Sequence, residues 1–131
     1  MPSGTRVTTP AYAHDVDYEL ELGFVIGRPL RDATPAEAAA AISGYVVLND
    51  LSARDVQIAE MRSGFGPQKA KHFASSMSDT VVAATSDIDP AALEAEVKIN
   101  GVTVTRSSTR GMQYSLCLLY TSDAADEVRR V

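Results

Sequence analysis

Apolar positions in this chain fall in short runs, some alternating with polar residues and some continuous, and the runs predict mostly strands with two helices. Residues 1–15 are polar, carry Pro2 and Pro10, and read as an extended lead-in. From Asp17 to Gly27, Tyr18, Leu20 and Leu22 alternate with Glu19 and Glu21 before Phe24-Val25-Ile26, which predicts a strand closed by the turn Gly27-Arg28-Pro29. Thr34-Pro35-Ala36-Glu37 has the form of a helix start, with Thr34 as N-cap, Pro35 in the first turn and Glu37 closing a capping box. The following alanines carry that helix to about Ser43-Gly44. Tyr45-Val46-Val47-Leu48 is continuous and short, the mark of a buried strand. Ser52-Ala53-Arg54-Asp55 is a second capping-box pattern, predicting a short helix through Val56–Glu60.

Beyond the loop signal Gly64-Phe65-Gly66-Pro67, residues 81–84 read as a strand and Asp89–Leu93 as a short turn or helical step. The clearest local signal follows. Glu94–Ile99 and Val102–Thr105 alternate on either side of Asn100-Gly101, a pair that accepts the positive φ a tight hairpin needs. No internal repeat or low-complexity linker interrupts these runs.

At 131 residues the chain fits one small domain of an ordinary globular composition, with 45% hydrophobic and 22% charged residues. A net charge of −5 without a basic run argues against nucleic acid or an anionic membrane as partner. Neither a signal-peptide pattern nor a run long enough to span a bilayer is seen. The one cysteine, Cys117, rules out an intrachain disulfide framework and fits a reducing cytoplasm.

Three carboxylates then change the picture. On a strand, Glu19 and Glu21 leave the same face, and such a pair repels unless a cation or protons lie between them. Asp50 ends another apolar run. Three hard oxygen donors suit Mg²⁺, Mn²⁺ or Ca²⁺ better than Zn²⁺. The plain alternative is a solvated strand face and a turn aspartate.

Taken together, Asp17-Tyr18-Glu19-Leu20-Glu21-Leu22, Gly44-Tyr45, Asn49–Gln57, Ala70-Lys71-His72-Phe73, Ile99-Asn100-Gly101 and Met112–Ser115 resemble the fumarylacetoacetate hydrolase family over roughly residues 16–115. The resemblance implies a mixed α+β, mostly β fold, as a fragment of the family's C-terminal domain. It implies Glu19, Glu21 and Asp50 as ligands of a divalent cation, Mg²⁺ first and Mn²⁺ or Ca²⁺ next. It also implies Lys71 as the catalytic lysine beside the metal, and Arg54 and Gln57 as substrate-binding residues. Arg54 would grip a substrate carboxylate with paired donors, the alternative being a local ion pair with Asp55 or Glu60. Lys69 reads as a solvated loop charge, His72 as either a substrate contact or structural, and His14 has no assigned role.

The implied activity of the parent protein is metal-dependent hydrolysis or lysis of C–C bonds in small diketo or keto acids, in a cytoplasmic homodimer; the 131-residue fragment itself is expected to fold only marginally and to show little or no turnover. Alternatives are an isomerase or decarboxylase of the same family, or a non-catalytic metal or small-ligand binding remnant. Two family features lack a counterpart: the His–Glu pair of the lid before Asp17, and the Gly-Thr loop after Ser115. Instead, Cys117–Glu127 matches the translation of a common transposase-based sequencing adapter. Residues 1–116 are therefore expected to be a partial catalytic domain and 117–131 a non-native tail.

Overall fold

The computed structural model describes residues 1–64, 66–85 and 87–114. The described residues form a strand-rich α+β fold with eight strands and three short helices. The expected tail, with Cys117, lies outside them.

The expected first strand is divided into β1 (Val16–Asp17) and β2 (Leu20–Ile26), with Glu19 in the break between them. β2 pairs with β3 (Ile42–Asp50), which also pairs with β5 (Ser75–Met77) and β6 (Val82–Ala83). β1 pairs antiparallel with β4 (Ser52–Ala53), placing Asp17 opposite Ser52. The hairpin of β7 (Glu94–Ile99) and β8 (Val102–Ser108) forms as expected, and Asn100 and Gly101 take φ of 51° and 81°. A bulge between Val97 and Lys98 shifts its register.

The capping box at Thr34 forms: Thr34 N donates to Glu37 Oε2 at 2.8 Å and Glu37 N to Thr34 Oγ1 at 3.3 Å. Helix α1 (Pro35–Ala39) nevertheless ends before the expected Ser43-Gly44. Gly27 N donates to the Ala41 carbonyl and Ser43 Oγ to the Val25 carbonyl, so cross-strand pairing claims residues whose local preference is helical.

Helix α2 (Arg54–Ser63) is longer than predicted, ends on Gly64 in the left-handed conformation, and does not use Ser52 as its cap. Ala53 holds the N-cap position with no side-chain hydrogen bond, because Ser52 is drawn into β4. Helix α3 (Gln68–Lys71) and β5 had no sequence signal. Glu60 positions α3 by accepting from Lys69 N at 2.8 Å and Ala70 N at 3.0 Å.

Two compact units divide the described residues, 1–24 with 45–82 and 25–44 with those from 83 to 114. In the first, the buried apolar residues are Ala13, Val46, Ala53, Ala70 and Ala74, so small side chains allow β4, α3 and their neighbours to approach closely. Gly23 serves the same end on β2, since a Cβ there would stand 2.6 Å from Val46 Cγ2 and 2.8 Å from Leu48 Cδ1. Every candidate site residue belongs to this unit.

Candidate metal centre

Three backbone features bring the acidic residues together. Glu19 precedes β2 and Glu21 lies within it, while Asp50 closes the neighbouring β3. Asp50 N donates to the Glu19 carbonyl at 3.2 Å, and Glu19 N to Asn49 Oδ1 at 3.1 Å. One carboxylate oxygen from each of Glu19, Glu21 and Asp50 then lies within 4.8 Å of the others. Asp50 Oδ1 also accepts from Ser75 Oγ at 3.2 Å, which the β3–β5 register places directly opposite.

Lys71 reaches this group from α3. Its Nζ lies 2.7 Å from Glu19 Oε2 and 3.0 Å from Asp50 Oδ2, and donates to Ser52 Oγ at 2.7 Å. Ser52 is fully buried, and its hydroxyl in turn donates to the Asp50 carbonyl at 3.2 Å. Arg54 enters from the opposite side. Its Nη1 donates to Glu19 Oε1 at 2.7 Å and to Gln57 Oε1 at 2.8 Å, while its Nε donates to Asp17 Oδ2 at 2.9 Å. Nη2 lies 2.8 Å from the same Asp17 oxygen.

The electrostatics follow from these contacts. Lys71's hydrogen bond, against the opposing effect of burial and aided by Arg54, pulls the Glu19 carboxyl down to about 2. Glu21 goes the other way: burial, then the charges of Asp50 and Glu19, raise its pKa above the ordinary value. Burial works against the charge on Lys71, but Glu19 and Asp50 outweigh it and hold the ammonium above its usual pKa.

Against the sequence reading, neither expected local partner takes Arg54. It pairs with Asp17 and Glu19, while Asp55 accepts from His14 N and Glu60 serves α3. Four of the five guanidinium N–H groups are engaged, so Arg54 does not offer the paired donors of a carboxylate clamp. Lys69 is no simple solvated charge either, for its ammonium stands 4.2 Å from the Tyr12 ring centroid. His72 Nδ1 lies 2.9 Å from the Lys69 carbonyl, a local contact within its own turn. Sequence reasoning missed Asp17, Ser52 and Ser75 as members of the network. Asp17 shared the two-residue spacing of Glu19 and Glu21, and that was its available signal.

Residues 1–120 match the family described as Fumarylacetoacetate (FAA) hydrolase C-terminal. The chain belongs to the fumarylacetoacetate hydrolase family. The human oxaloacetate tautomerase FAHD1, described as mitochondrial, is 33% identical over 116 residues, covering 88% of this chain and 52% of that relative. The chain thus spans about half the length of the curated relatives it matches. A Mycobacterium smegmatis structure of 5-carboxymethyl-2-hydroxymuconate delta-isomerase is 34% identical with a TM-score of 0.68, over 82% of this chain and 41% of its own. A Burkholderia cenocepacia protein assigned as a fumarylpyruvate hydrolase is 28% identical with a TM-score of 0.83, over 95% of this chain and 57% of its own.

Enzymes of the fumarylacetoacetate hydrolase family commonly use divalent metals, and the donor set here fits one. Oxygens on opposite sides of a common ion stand about 4.2 Å apart around Mg²⁺ and up to about 5.2 Å around Ca²⁺. The 4.8 Å limit lies inside the Ca²⁺ figure and above the Mg²⁺ one, so the smaller ion would draw the oxygens closer together. Asp17, Glu19, Glu21 and Asp50 carry four negative charges against the two positive charges of Lys71 and Arg54. One divalent cation would neutralise the remainder.

Among the described residues, no helix is long and apolar enough to cross a membrane.

Proposed function

We propose that this protein is a metal-dependent enzyme that takes a small diketo or 2-oxo acid through its enolate. The observation that carries the reading is the grouping of Glu19, Glu21 and Asp50 oxygens within 4.8 Å, with the Lys71 ammonium against two of the three. Glu19, Glu21 and Asp50 would hold the cation. When bound, a divalent cation supplies Lewis-acid polarisation of the substrate's oxo and carboxylate oxygens.

The protein's own groups do the rest. Lys71 stays charged across the physiological range and offers an ammonium to the negative charge that develops on an enolate oxygen. Ser52, Glu19 and Asp50 take all three N–H donors of that ammonium and fix its position, so it acts on a developing enolate through its charge rather than by a hydrogen bond. Gln57 accepts from Arg54 through Oε1, which leaves its amide N–H groups to donate to a substrate oxygen.

The reaction we favour is keto–enol or double-bond isomerisation. Tautomerase and isomerase relatives at 33% and 34% identity support it. C–C hydrolysis of a diketo acid is the second reading, supported by the family match and the hydrolase neighbour at 28% identity. The two share the enolate and differ in whether it is protonated or follows cleavage by water. We place the enzyme in the cytoplasm as a homodimer, the setting that the family resemblance implies.

The test is an assay of the complete reading frame around this chain, with Mg²⁺ or Mn²⁺. Enol-oxaloacetate and an acylpyruvate are followed separately by loss of ultraviolet absorbance. Metal-dependent acceleration of the first reaction supports the favoured reading, and loss of acylpyruvate alone supports the second. A folded, metal-loaded protein that accelerates neither overturns both.

A further inference from the structure

We infer that Asp17 is a positioning residue of the metal centre, which holds Arg54 so that one guanidinium nitrogen orients both the Glu19 carboxylate and the Gln57 amide. This rests on the proposed role of Glu19, Glu21 and Asp50 as cation ligands.

Asp17 lies outside the three-carboxylate group, so it is not itself a ligand candidate. Its side chain is held at both oxygens. Oδ1 accepts from Tyr18 N at 2.9 Å, and Oδ2 receives Nε and Nη2 of Arg54 at 2.9 and 2.8 Å. Its backbone is fixed as well, in register with the buried Ser52 that binds Lys71. A carboxylate so restrained sets the plane and rotation of the guanidinium, because two of its nitrogens converge on one oxygen.

The consequence falls on the far side of Arg54. With Nε and Nη2 anchored, Nη1 is left facing Glu19 Oε1 at 2.7 Å and Gln57 Oε1 at 2.8 Å. Glu19 is then gripped at both oxygens, by Arg54 and by Lys71, and each oxygen keeps a lone pair for a cation. Gln57 is turned with its carbonyl oxygen inward. Without Asp17 the guanidinium is free to rotate onto Glu19 with both terminal nitrogens, competing with a cation for the same lone pairs. Its positive charge also loses its counter-charge. Outer partners of metal ligands typically change affinity by about 10- to 100-fold when removed.

The test uses the full chain and Mn²⁺, with free Mn²⁺ read by electron paramagnetic resonance on samples shown to be folded by circular dichroism. Asp17→Asn, nearly isosteric, and Asp17→Ala should each weaken Mn²⁺ binding by about tenfold. On an Arg54→Met background the Asp17→Asn substitution should have almost no further effect, since Asp17 acts through Arg54. A wild-type dissociation constant for Asp17→Asn would overturn the inference. So would an equal loss on the Arg54→Met background, which would assign the effect to charge at a distance. Glu21→Ala is measured alongside. If it too binds Mn²⁺ normally, the ligand assignment itself fails; if it loses binding while Asp17→Asn does not, the positioning role alone fails.

Discussion

Lys71 Nζ sits 2.7 Å from Glu19 Oε2, so the ammonium of α3 is tied directly to the residue that precedes β2. The contact joins two segments 52 positions apart and brings a second cation, beside Arg54, against a carboxylate that faces Glu21 and Asp50. The ammonium and a bound divalent ion therefore neutralise the same charges.

Replacing Lys71 by Met should make that visible. Without metal, loss of the pair is expected to cost about 1–2 kcal/mol, less than for a fully buried pair because solvent reaches these groups. Mg²⁺ should raise the melting temperature of Lys71→Met by more than it raises that of the wild type, since one more negative charge faces the ion. In the complete protein, the proposed turnover should be lost. Thermal unfolding with and without Mg²⁺ measures the difference, and an equal Mg²⁺ shift in both proteins would count against shared neutralisation.

Gly23 lets β2 approach the buried Val46 and the half-buried Leu48 of β3, the strand that ends at Asp50. Gly23→Ala puts a methyl 2.6 Å from Val46 Cγ2 and must displace branched side chains. The expected loss is about 1–3 kcal/mol in urea unfolding. An unchanged midpoint would mean that β3 yields more readily than its packing implies.

Acid stability should depend on Asp55. The backbone N–H of His14, 3.1 Å from Asp55 Oδ2, holds the carboxyl below its usual range. A carboxyl whose folded pKa is depressed stabilises the fold above its unfolded pKa, about 3.9, and that contribution is lost as pH falls through the folded value. The wild type should therefore lose stability below about pH 4, and Asp55→Asn should show a shallower acid limb. Melting temperatures from pH 6 down to pH 2.5 provide the check; superimposable acid limbs would rule the contribution out.

The adapter-like string Cys117–Glu127 carries a prediction that needs no protein. Sequencing the source locus should show different codons after Leu116. Finding the same codons in genomic DNA would make the string native.

What could be read from the sequence was what is decided locally. Asn100-Gly101 closes its hairpin because two adjacent residues meet the turn's φ requirement, and Thr34 and Glu37 cap α1 across three positions. The end of α1 could not be read, because Val25 and Gly27 pull Ala41 and Ser43 into pairing from far along the chain. Strand β5 has no alternation in Ser75-Ser76-Met77 and exists through its register with Leu48, Asn49 and Asp50. In the site, the acidic trio and Lys71 followed from the family resemblance. Arg54's real partner, Asp17, stands 37 positions away, beyond the local ion pairs that helix spacing suggests. Ser52 was misread because its capping pattern is genuine, yet strand pairing and Lys71 claim its hydroxyl first.

The most direct test of the whole account is an anomalous difference map from crystals grown with Mn²⁺. One strong peak is expected, bonded at about 2.0–2.6 Å to an oxygen of each of Glu19, Glu21 and Asp50. A map with no peak among these side chains, or with the ion held elsewhere on the chain, would contradict it.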